Sequence, residues 1–453
     1  GGLVLGIETS CDETAAAVVS GDGRVLGEAL ASSASLWEEW GGVVPSVARM
    51  AHEEAIEGVV GSALRRAGAS PRDLAAVAVT RGPGLGLCLR VGVVHAMALS
   101  HRAGVPLVPV HHMEAHALVA RLPPSAAAMG GDAPPSPASP SGSGPELRAE
   151  FPFVALLVSG GHNVLVLVDG VGRYTELGAT LDDAVGEAFD KAARVLGLDL
   201  TGGGGPALEA LAREGDPEAV DFPRPLRHRP NCDFSYAGLK TALRLAAEAQ
   251  GVASPLSIGS GPDLQRGARA DLAASFQRAA VRHLAEKTRR AVEWAKEMRP
   301  GLRHFVVAGG VAANAEVRSA MEEVATGAGV ALVCPPPRLC TDNGVMVAWA
   351  GAERLALGLG VEPPASFAPG PEDMVEILPR WPLGERDGRA TSPKRAKSMK
   401  QTRLAPSLTK TTLAALAGGD AGVPMLVGRR RGGGGGEGLG GQGAELQAEP
   451  SAA

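Results

Sequence analysis

The chain has 453 residues, of which 45% are hydrophobic, 21% charged and 3% aromatic, with 62 glycines and 34 prolines. This length allows about two or three domains, and no apolar stretch approaches the ~20 residues of a membrane-spanning helix, which excludes a spanning membrane protein. The charge is uneven: residues 384–453 hold 11 Lys and Arg against 6 Asp and Glu, whereas residues 1–383 hold 33 against 43. Five scattered cysteines without CxxC spacing argue against a disulfide framework or a Cys-type zinc site.

The first predicted unit is a set of strands in residues 3–28. An apolar run leads into the polar turn of residues 10–14 (SCDET), a second apolar run and a Gly-Asp-Gly hairpin signal. Apolar spacing then predicts a helix over residues 43–67, a strand over 74–80 and a helix over 92–101. This alternation of strands and helices is typical of an α/β fold.

Residues 111–116 (HHMEAH) form a candidate metal-binding motif. In a helix, His112 and His116 lie on one face, which suits two imidazole ligands of one metal ion. A zinc protease needs its general-base glutamate directly after the first histidine, but Glu114 comes two residues later and points about 200° round the helix. The motif therefore weakens the metallopeptidase interpretation, and ordinary polar contacts stay the alternative for an isolated histidine pair.

Residues 123–148 are Pro, Ala, Ser and Gly without hydrophobic periodicity, which predicts a low-complexity insertion. Residues 153–178 then repeat the opening unit, and Ser159 matches Ser10 at an offset of 149. The same offset aligns further identical residues, namely Gly21 with Gly170, Gly23 with Gly172 and Arg24 with Arg173. Both halves are thus predicted to open with the same unit of three strands.

The two matched turns, at residues 10–14 and 159–162 (SGGH), expose backbone N–H groups and hydroxyls, which suit an anion. Gly160 and Gly161 have no Cβ to keep a ligand at a distance. Either turn alone is typical of an ordinary hairpin. Their pairing at the repeat offset predicts two loops that face each other and clamp a nucleotide.

The remaining elements of the second half are helices over residues 181–196 and 270–298 and a strand over 304–308. This strand enters a glycine turn that ends at Asn314, which fits close packing against an adenine or ribose but also an ordinary strand–helix turn. Asp342 is a candidate third metal ligand, because two histidines and a carboxylate with open positions form a catalytic rather than a structural metal site.

Six motifs together resemble the TsaD family, the tRNA N6-adenosine threonylcarbamoyltransferases. The motifs are residues 6–14 (GIETSCDET), 111–116 (HHMEAH), 157–162 (LVSGGH), 182–191 (DDAVGEAFDK), 308–314 (AGGVAAN) and 340–344 (CTDNG). The resemblance runs from about residue 3 to about residue 378, apart from the insertion. It is to the bacterial and organellar type, and residues 234–240 (FSYAGLK) look most like plant mitochondrial members.

The resemblance implies an α/β class with a duplicated actin-like ATPase fold, of the sugar kinase and heat-shock chaperone kind, and two domains about a nucleotide cleft. It implies an N-terminal half at residues 1–122, the insertion at 123–148 and a C-terminal half at 149–341. Residues 342–383 would be helices that return to the first half. Residues 384–453 would be a disordered basic, glycine-rich tail, either an electrostatic arm or a solvated extension.

The implied activity transfers the threonylcarbamoyl group of threonylcarbamoyl-adenylate to N6 of adenosine 37 in tRNAs that read ANN codons. One divalent metal ion per subunit, iron or zinc, would be held by His112, His116 and Asp342. Asp12 or Glu13, on the facing loop, would accept the amine proton. The residues that would hold the adenylate are Leu157, Val158, Ser159, Gly160, Gly161, Asp190, Gly205, Glu209 and Asn314.

The implied partners are tRNA, threonylcarbamoyl-adenylate and a second copy of the chain, with accessory tRNA-modification subunits as a further possibility. The implied location is the mitochondrial matrix, with a plastid or a bacterial cytoplasm as alternatives. Two basic clusters are candidate phosphate contacts, and solvated charged faces are the alternative. The clusters are Arg224, Arg227, His228 and Arg229 with Lys240 beyond, and Lys287, Arg289 and Arg290.

Two other functions compete with the transferase. A zinc metallopeptidase of the O-sialoglycoprotein endopeptidase kind predicts peptide hydrolysis and a glutamate next to the first histidine. An ATP-dependent kinase on the same fold predicts an aspartate base for a hydroxyl and no histidine pair.

Overall fold

A computed structural model describes residues 2–32, 43–123, 148–200, 202–252, 262–364 and 375–390. Most of the predicted insertion and of the predicted tail lies outside these residues. Among the described residues, no helix is both long enough and apolar enough to cross a bilayer.

The first sheet has five strands in the order β3-β2-β1-β4-β5. The first three are antiparallel neighbours, whereas β4 and β5 continue in parallel from β1. The strands are β1 (Leu3–Glu8), β2 (Glu13–Ser20), β3 (Val25–Ser32), β4 (Leu74–Gly82) and β5 (Leu107–His111).

The second sheet contains six strands in the order β10-β9-β6-β7-β8-β11. Strands β6 to β8 are antiparallel neighbours, β9 and β10 continue in parallel from β6, and β11 runs parallel to β8 at the far edge. The strands are β6 (Phe153–Val158), β7 (Asn163–Gly170), β8 (Arg173–Ala179), β9 (His304–Ala308), β10 (Ala331–Val333) and β11 (Glu385–Arg386).

Ten α-helices cover the sheets in the described residues. They are α1 (Pro45–Ala67), α2 (Gly86–Ala103), α3 (His112–Leu118), α4 (Val185–Val195), α5 (Gly204–Ala212), α6 (Ala237–Ala249), α7 (Pro262–Met298), α8 (Ala315–Ala328), α9 (Pro337–Cys340) and α10 (Gly344–Leu357). Short 3₁₀ turns occur at Pro71–Asp73, Val119–Arg121 and Gly310–Ala313.

The internal repeat predicted from the sequence is confirmed by strand pairing. Gly6 pairs with Ala17 in the first sheet, and Ala155 pairs with Val166 in the second, so both pairs keep the offset of 149 residues. Each sheet also has the same order, three antiparallel strands followed by two parallel ones. This duplicated α/β arrangement is the actin-like ATPase fold that the sequence predicts.

Hydrophobic burial explains where the helices lie. Apolar residues of α1 and α2 pack on one face of the first sheet, and those of α10 pack on the other. Helices α4 to α8 cover one face of the second sheet. Helix α3 is shared: Ala115 and Leu118 pack with the first sheet, whereas Met113 and Ala117 pack with the second. The predicted metal-binding helix is therefore wedged between the two sheets.

The start of the predicted tail belongs to the folded body. Glu385 and Arg386 pair with β8, Arg386 forms an ion pair with the buried Asp233, and Ala390 is fully buried. This segment is polar and has no hydrophobic period, so only its long-range contacts reveal it. The other predicted domain boundaries stay predictions.

Candidate active site

The predicted metal ligands come together where β5 meets α3. The His111 side chain caps the helix by accepting from the Met113 N–H at 3.1 Å, and the His112 and His116 rings lie perpendicular to each other with centroids 4.7 Å apart. Asp342 comes from the turn before α10, and its Oδ1 lies 3.0 Å from His116 Nε2 and 3.6 Å from His112 Nε2. One donor atom from each residue lies within 4.8 Å of the others, so the three can hold one ion.

The electrostatics of this cluster favour a bound positive charge. Burial alone lowers the pKa of His112, but the Asp342 and Glu8 carboxylates outweigh burial and raise the pKa to about 9. Burial raises the pKa of Asp342, but the His112 and His116 imidazoles hold the pKa well below its usual range. Carboxylates on both sides of His112 thus make a site that attracts a proton or a cation.

Glu8 also belongs to this cluster, and it was not among the site residues predicted from the sequence. It ends β1, is fully buried, and accepts hydrogen bonds from Ser10 N–H and Thr80 Oγ1, both at 2.6 Å. Its second oxygen lies 3.2 Å from His112 Nδ1. Because this contact occupies Nδ1, the Nε2 atom is left facing Asp342. A charged residue ending an apolar strand was the available signal.

The two candidate proton acceptors on the first loop differ in their environment. Burial, followed by the neighbouring Asp12 carboxyl, raises the pKa of Glu13 to about 9, so Glu13 is protonated at neutral pH. The turn is held by the buried His52, whose Nε2 donates to the Cys11 carbonyl at 3.1 Å and whose Nδ1 accepts from Thr14 Oγ1 at 2.7 Å.

The second loop, Ser159 to His162, lies beside the metal-ligand cluster. Ser159 N–H donates to the His162 carbonyl at 2.8 Å, which closes the turn between β6 and β7. His162 contacts the cluster, with its ring 6.1 Å from the His112 ring. Burial lowers the pKa of His162 to about 4, and the two histidines of α3 add to this effect. The position of His162 was not expected from the sequence.

The glycines of this region serve two different purposes. A Cβ on Gly160 or Gly161 would meet no atom within 4 Å, and both residues are exposed, so their backbone borders open space. Gly309 has φ +105°, and its Cβ would lie 2.1 Å from the Val158 carbonyl oxygen. Gly309 therefore allows the ends of β6 and β9 to approach closely.

Four of the other predicted adenylate residues are joined by short hydrogen-bonded links. Asp190 on α4 accepts from Gly205 N–H at 3.1 Å, and Glu209 on α5 accepts from Ala315 N–H at 3.1 Å. Asn314 caps α8 by accepting from Val317 N–H, and donates to Gln277 at 3.1 Å.

Leu157 and Val158 differ from the other predicted adenylate residues, because both side chains lie in the core and are about 1% exposed. Their side chains pack in the core, so a contact with the adenylate would have to come from their backbone atoms.

The predicted basic clusters form one surface, with two corrections. Lys287 is fully buried and donates to backbone carbonyls, including that of Arg229 at 3.0 Å, so it cannot contact phosphate. Lys240 pairs with Asp183 at 2.9 Å instead of extending the arginine cluster. Arg290 donates to the Asn231 carbonyl at 2.8 Å, which links the second cluster to the first.

Two sheets with the same strand order and a buried His-His-Asp cluster between them define an actin-like ATPase fold with a candidate metal site. The family model described as "tRNA N6-adenosine threonylcarbamoyltransferase" (TsaD) matches residues 24–134 and 139–349. The Arabidopsis thaliana "Probable tRNA N6-adenosine threonylcarbamoyltransferase, mitochondrial" is 50% identical over 408 residues, which cover 90% of this chain and 80% of that protein. The "tRNA N6-adenosine threonylcarbamoyltransferase" of Granulibacter bethesdensis is 47% identical over 390 residues, with 85% and 95% covered.

The chain therefore belongs to the tRNA N6-adenosine threonylcarbamoyltransferase family, and it is a transferase. Solved structures align more distantly. HypF from T. kodakarensis is 16% identical, with a TM-score of 0.48 and coverage of 79% of this chain and 48% of that one. The assignment of the fold depends on the strand order of the two sheets.

Proposed function

We propose that the protein transfers the threonylcarbamoyl group of threonylcarbamoyl-adenylate to N6 of adenosine 37 in tRNAs that read ANN codons, forming N6-threonylcarbamoyladenosine and AMP. The observation that carries this proposal is the contact between the metal-ligand cluster and the open glycine loop, with the His112 and His162 rings 6.1 Å apart. One place thus offers a cation site and backbone beside open space, as a phosphate leaving group requires. Membership of the family supports the same reaction.

His112, His116 and Asp342 would hold one divalent metal ion, iron or zinc. Two imidazoles and one carboxylate match the donor set of a catalytic metal site with open positions. When bound, the metal supplies Lewis acidity toward a phosphate or carbamoyl oxygen. Other residues of the chain orient these ligands. Glu8 contacts His112 at Nδ1, which leaves Nε2 for the metal. Asn343 caps α10 by accepting from Met346 N–H at 2.8 Å and fixes the turn that carries Asp342.

We propose that the phosphate of the adenylate binds at the Ser159–His162 turn and that its adenosine binds at the N-terminal ends of the neighbouring helices. Gly160 and Gly161 place their backbone beside open space, where N–H groups can stabilise charge on the departing AMP. Gly205 likewise has no atom within 4 Å of a built Cβ. Asp190 accepts from Gly205 N–H and Glu209 lies about one turn further along α5, so both would meet the sugar or base.

The adenosine amine is a poor nucleophile, so its proton must be accepted as the new bond forms. We assign this step to Asp12. The raised pKa of Glu13 keeps that carboxyl protonated, so it serves as a hydrogen-bond donor to Asp12 rather than as a base. Asp12→Asn is therefore expected to slow transfer about 100-fold or more, and Glu13→Gln, which keeps a donor, is expected to slow it less.

The contacts of Glu114 argue against its acting as the general base of a metallopeptidase. Glu114 is fully buried and accepts from Tyr174 Oη at 2.6 Å and Arg354 Nε at 2.7 Å. It is committed to contacts between α3, the second sheet and α10, on the side of the helix away from the histidines. Its carboxylate cannot activate water at the metal-ligand cluster.

Incubation of the full chain with threonylcarbamoyl-adenylate, iron or zinc, and an unmodified ANN-reading tRNA tests the proposal. Mass spectrometry of the digested tRNA is expected to show N6-threonylcarbamoyladenosine. A matched tRNA with guanosine at position 37 is the control and should stay unmodified. No product with accessory tRNA-modification subunits also supplied would contradict the proposal.

We also propose a mitochondrial location and a homodimer. The location is supported by the name of the Arabidopsis relative, and a fluorescent fusion of the full-length gene product tests it. The homodimer comes from the resemblance of the sequence to the family, and light scattering during size-exclusion chromatography distinguishes it from a monomer.

A further inference from the structure

The surface of interest is the arginine loop, defined as residues 224–229 (RPLRHR). It carries three arginines and one histidine, Arg224, Arg227, His228 and Arg229, all of them exposed. Phe222 anchors its start, because this ring is buried and packs against Phe276 at 6.1 Å between centroids.

The loop is fixed from beneath by a buried ammonium group. Lys287 on α7 is fully buried and donates to the carbonyls of Leu226, Arg229 and Asn231 at 3.4, 3.0 and 3.0 Å. A buried charge without hydrogen-bond partners is very costly. The three carbonyls therefore stabilise the ammonium group, and the ammonium group in turn fixes the backbone of the loop. The arrangement leaves the arginine side chains, rather than the backbone, directed to solvent.

The backbone of the loop is also strained. Leu226 has φ 48° and is the one non-glycine residue with positive φ in the described part of the chain. Left-handed backbone at a branched aliphatic residue costs free energy and persists only where neighbouring contacts impose it. Lys287 supplies such a contact at the Leu226 carbonyl itself.

Helix α7 extends the basic surface into a neighbouring groove of about 590 Å³. Arg224, Arg282 and Arg289 line it, and the two residues of α7 are exposed and seven apart, so they share one helix face. Four acidic residues, Asp221, Glu286, Glu316 and Glu323, line the groove as well. The excess of positive charge therefore lies on the arginine loop itself, since residues 224–229 contain no acidic residue.

We propose that the arginine loop, together with Arg282 and Arg289, is the surface on which the phosphodiester backbone of tRNA docks. The inference depends on the proposed function and names where its macromolecular substrate binds. Residues 1–383 carry ten more acidic than basic groups, 43 against 33, so a polyanion must bind where this balance is locally reversed.

The chain connects this surface to the candidate active site. Beyond the arginine loop, Phe234 pairs with Thr180 at the end of β8, and Asp182 accepts from Tyr236 N–H at 2.8 Å. Asp182 lies three residues before α4, which carries Asp190. The arginine loop is thus followed in the chain by a segment that is hydrogen-bonded to the approach to α4 and Asp190.

The test compares two double charge reversals that change the net charge equally. Arg227→Glu/Arg229→Glu alters the loop, and Arg72→Glu/Arg102→Glu alters exposed arginines of the first half. Fluorescence anisotropy measures binding of unmodified tRNA between 50 and 200 mM salt, and circular dichroism checks folding. The loop variant is expected to bind about tenfold or more weakly, with a salt slope smaller by about 1.5, since each phosphate contact contributes about 0.7 to 0.9.

The control variant is expected to bind within twofold of wild type, and Arg227→Lys/Arg229→Lys is expected to retain most of the affinity. Equal loss in both reversals, or unchanged affinity and slope in the loop variant, would overturn the proposal. Unchanged tRNA binding with activity lost only when accessory subunits are present would overturn it too, and would assign the loop to an acidic protein partner.

Modification assays on the same samples separate the two proposals. Wild-type protein that binds tRNA through the loop but forms no modified nucleoside would contradict the proposed function and leave the docking surface standing. Wild-type protein that modifies tRNA with the loop variant equally active at low tRNA concentration would contradict the docking surface alone. Wild-type protein with no measurable tRNA affinity at 50 mM salt, accessory subunits included, would also overturn it.

Discussion

The two opening hairpins share a backbone and differ in chemistry. The turn after β1 and the turn after β6 occupy matched positions at an offset of 149, with equivalent pairs such as Glu8 with Ala15 and Leu157 with Val164. At this matched position the first hairpin buries a carboxylate and the second buries a leucine.

The same contrast continues along the two turns. Asp12 in the first is matched by Gly161 in the second at the same offset. The first hairpin therefore contacts His112 and supplies carboxyl groups, whereas the second presents open backbone. In the proposed reaction, the duplication supplies two loops, and the side chains at a few matched positions give each loop its role.

The largest expected effect comes from removing one of the proposed metal ligands. His116→Ala leaves one imidazole and one carboxylate, which is too few donors for a stable three-ligand site. We expect at least about a 100-fold loss of metal affinity, by calorimetry, and about a 1,000-fold loss of turnover. His95→Gln on α2 is the matched control, and an equal loss there would refute the assignment.

Next in size is the contrast between two glycines of the second half. Gly309→Ala is expected to destabilise the fold by about 3 kcal/mol, because its Cβ would lie 2.1 Å from the Val158 carbonyl oxygen at a φ of +105°. Gly161→Ala should leave the free energy of unfolding within about 0.5 kcal/mol of wild type and weaken adenylate binding instead. Denaturant unfolding and adenylate titration measure the two effects, and equal destabilisation would erase the distinction between a packing and a ligand glycine.

Glu8 tests whether the first hairpin positions the metal ligand. Glu8→Gln keeps the shape but weakens the hold on His112 Nδ1, so metal affinity should fall about 10- to 100-fold. Glu8→Leu copies the matched position of the second hairpin and should lose more. Glu57→Gln, on the exposed face of α1, is the control. Unchanged affinity in both Glu8 variants would show that the carboxylate is dispensable for the metal.

The smallest effect concerns histidines of the two halves. The pKa of His112 is raised, whereas burial, followed by the charge of Lys287, lowers the pKa of His283 to about 3. His283 therefore binds a proton more tightly in the unfolded state than in the folded state. Its contribution to stability is fully present above about pH 6.5 and is lost as the pH falls toward the folded-state pKa. At pH 5 the loss from this one group is about 2 kcal/mol.

His283→Gln, which keeps an acceptor for Ser235 N–H, should lack this contribution. The difference in free energy of unfolding between wild type and this variant should shrink by about 2 kcal/mol as the pH falls from 7.5 to 5. The exposed His228→Gln is the control and should follow wild type at every pH. A constant difference between wild type and His283→Gln would show that His283 titrates normally.

Much of this comparison can be predicted from the sequence alone. The repeat, the helix pair His112 and His116, and the carboxylate Asp342 were all predicted, because periodicity, identical residues at a fixed offset and ligand spacing are local signals. The predicted strand over residues 304–308 agrees with β9 residue for residue. Helix α2 begins six residues earlier than predicted, at Gly86.

What the sequence could not show depends on contacts between distant segments. Glu8 and His112 are 104 positions apart, so no local pattern connects them. Lys287 looked like a surface charge because its role comes from three carbonyls more than 50 residues away. Residues 384–390 looked like tail because ion pairs, rather than hydrophobic period, hold them. Side-chain burial decides these cases, and burial is a property of the whole fold.

A single-turnover measurement tests the central claim that the two loops serve one transfer reaction. Excess full-length protein, with metal and any accessory subunits, is mixed with carbonyl-labelled threonylcarbamoyl-adenylate and unmodified ANN-reading tRNA, and both products are followed in time. The account predicts that AMP and modified adenosine appear together in equal amounts, and that both slow together in His116→Ala. Release of AMP without label on the tRNA would show hydrolysis rather than transfer and would contradict the account.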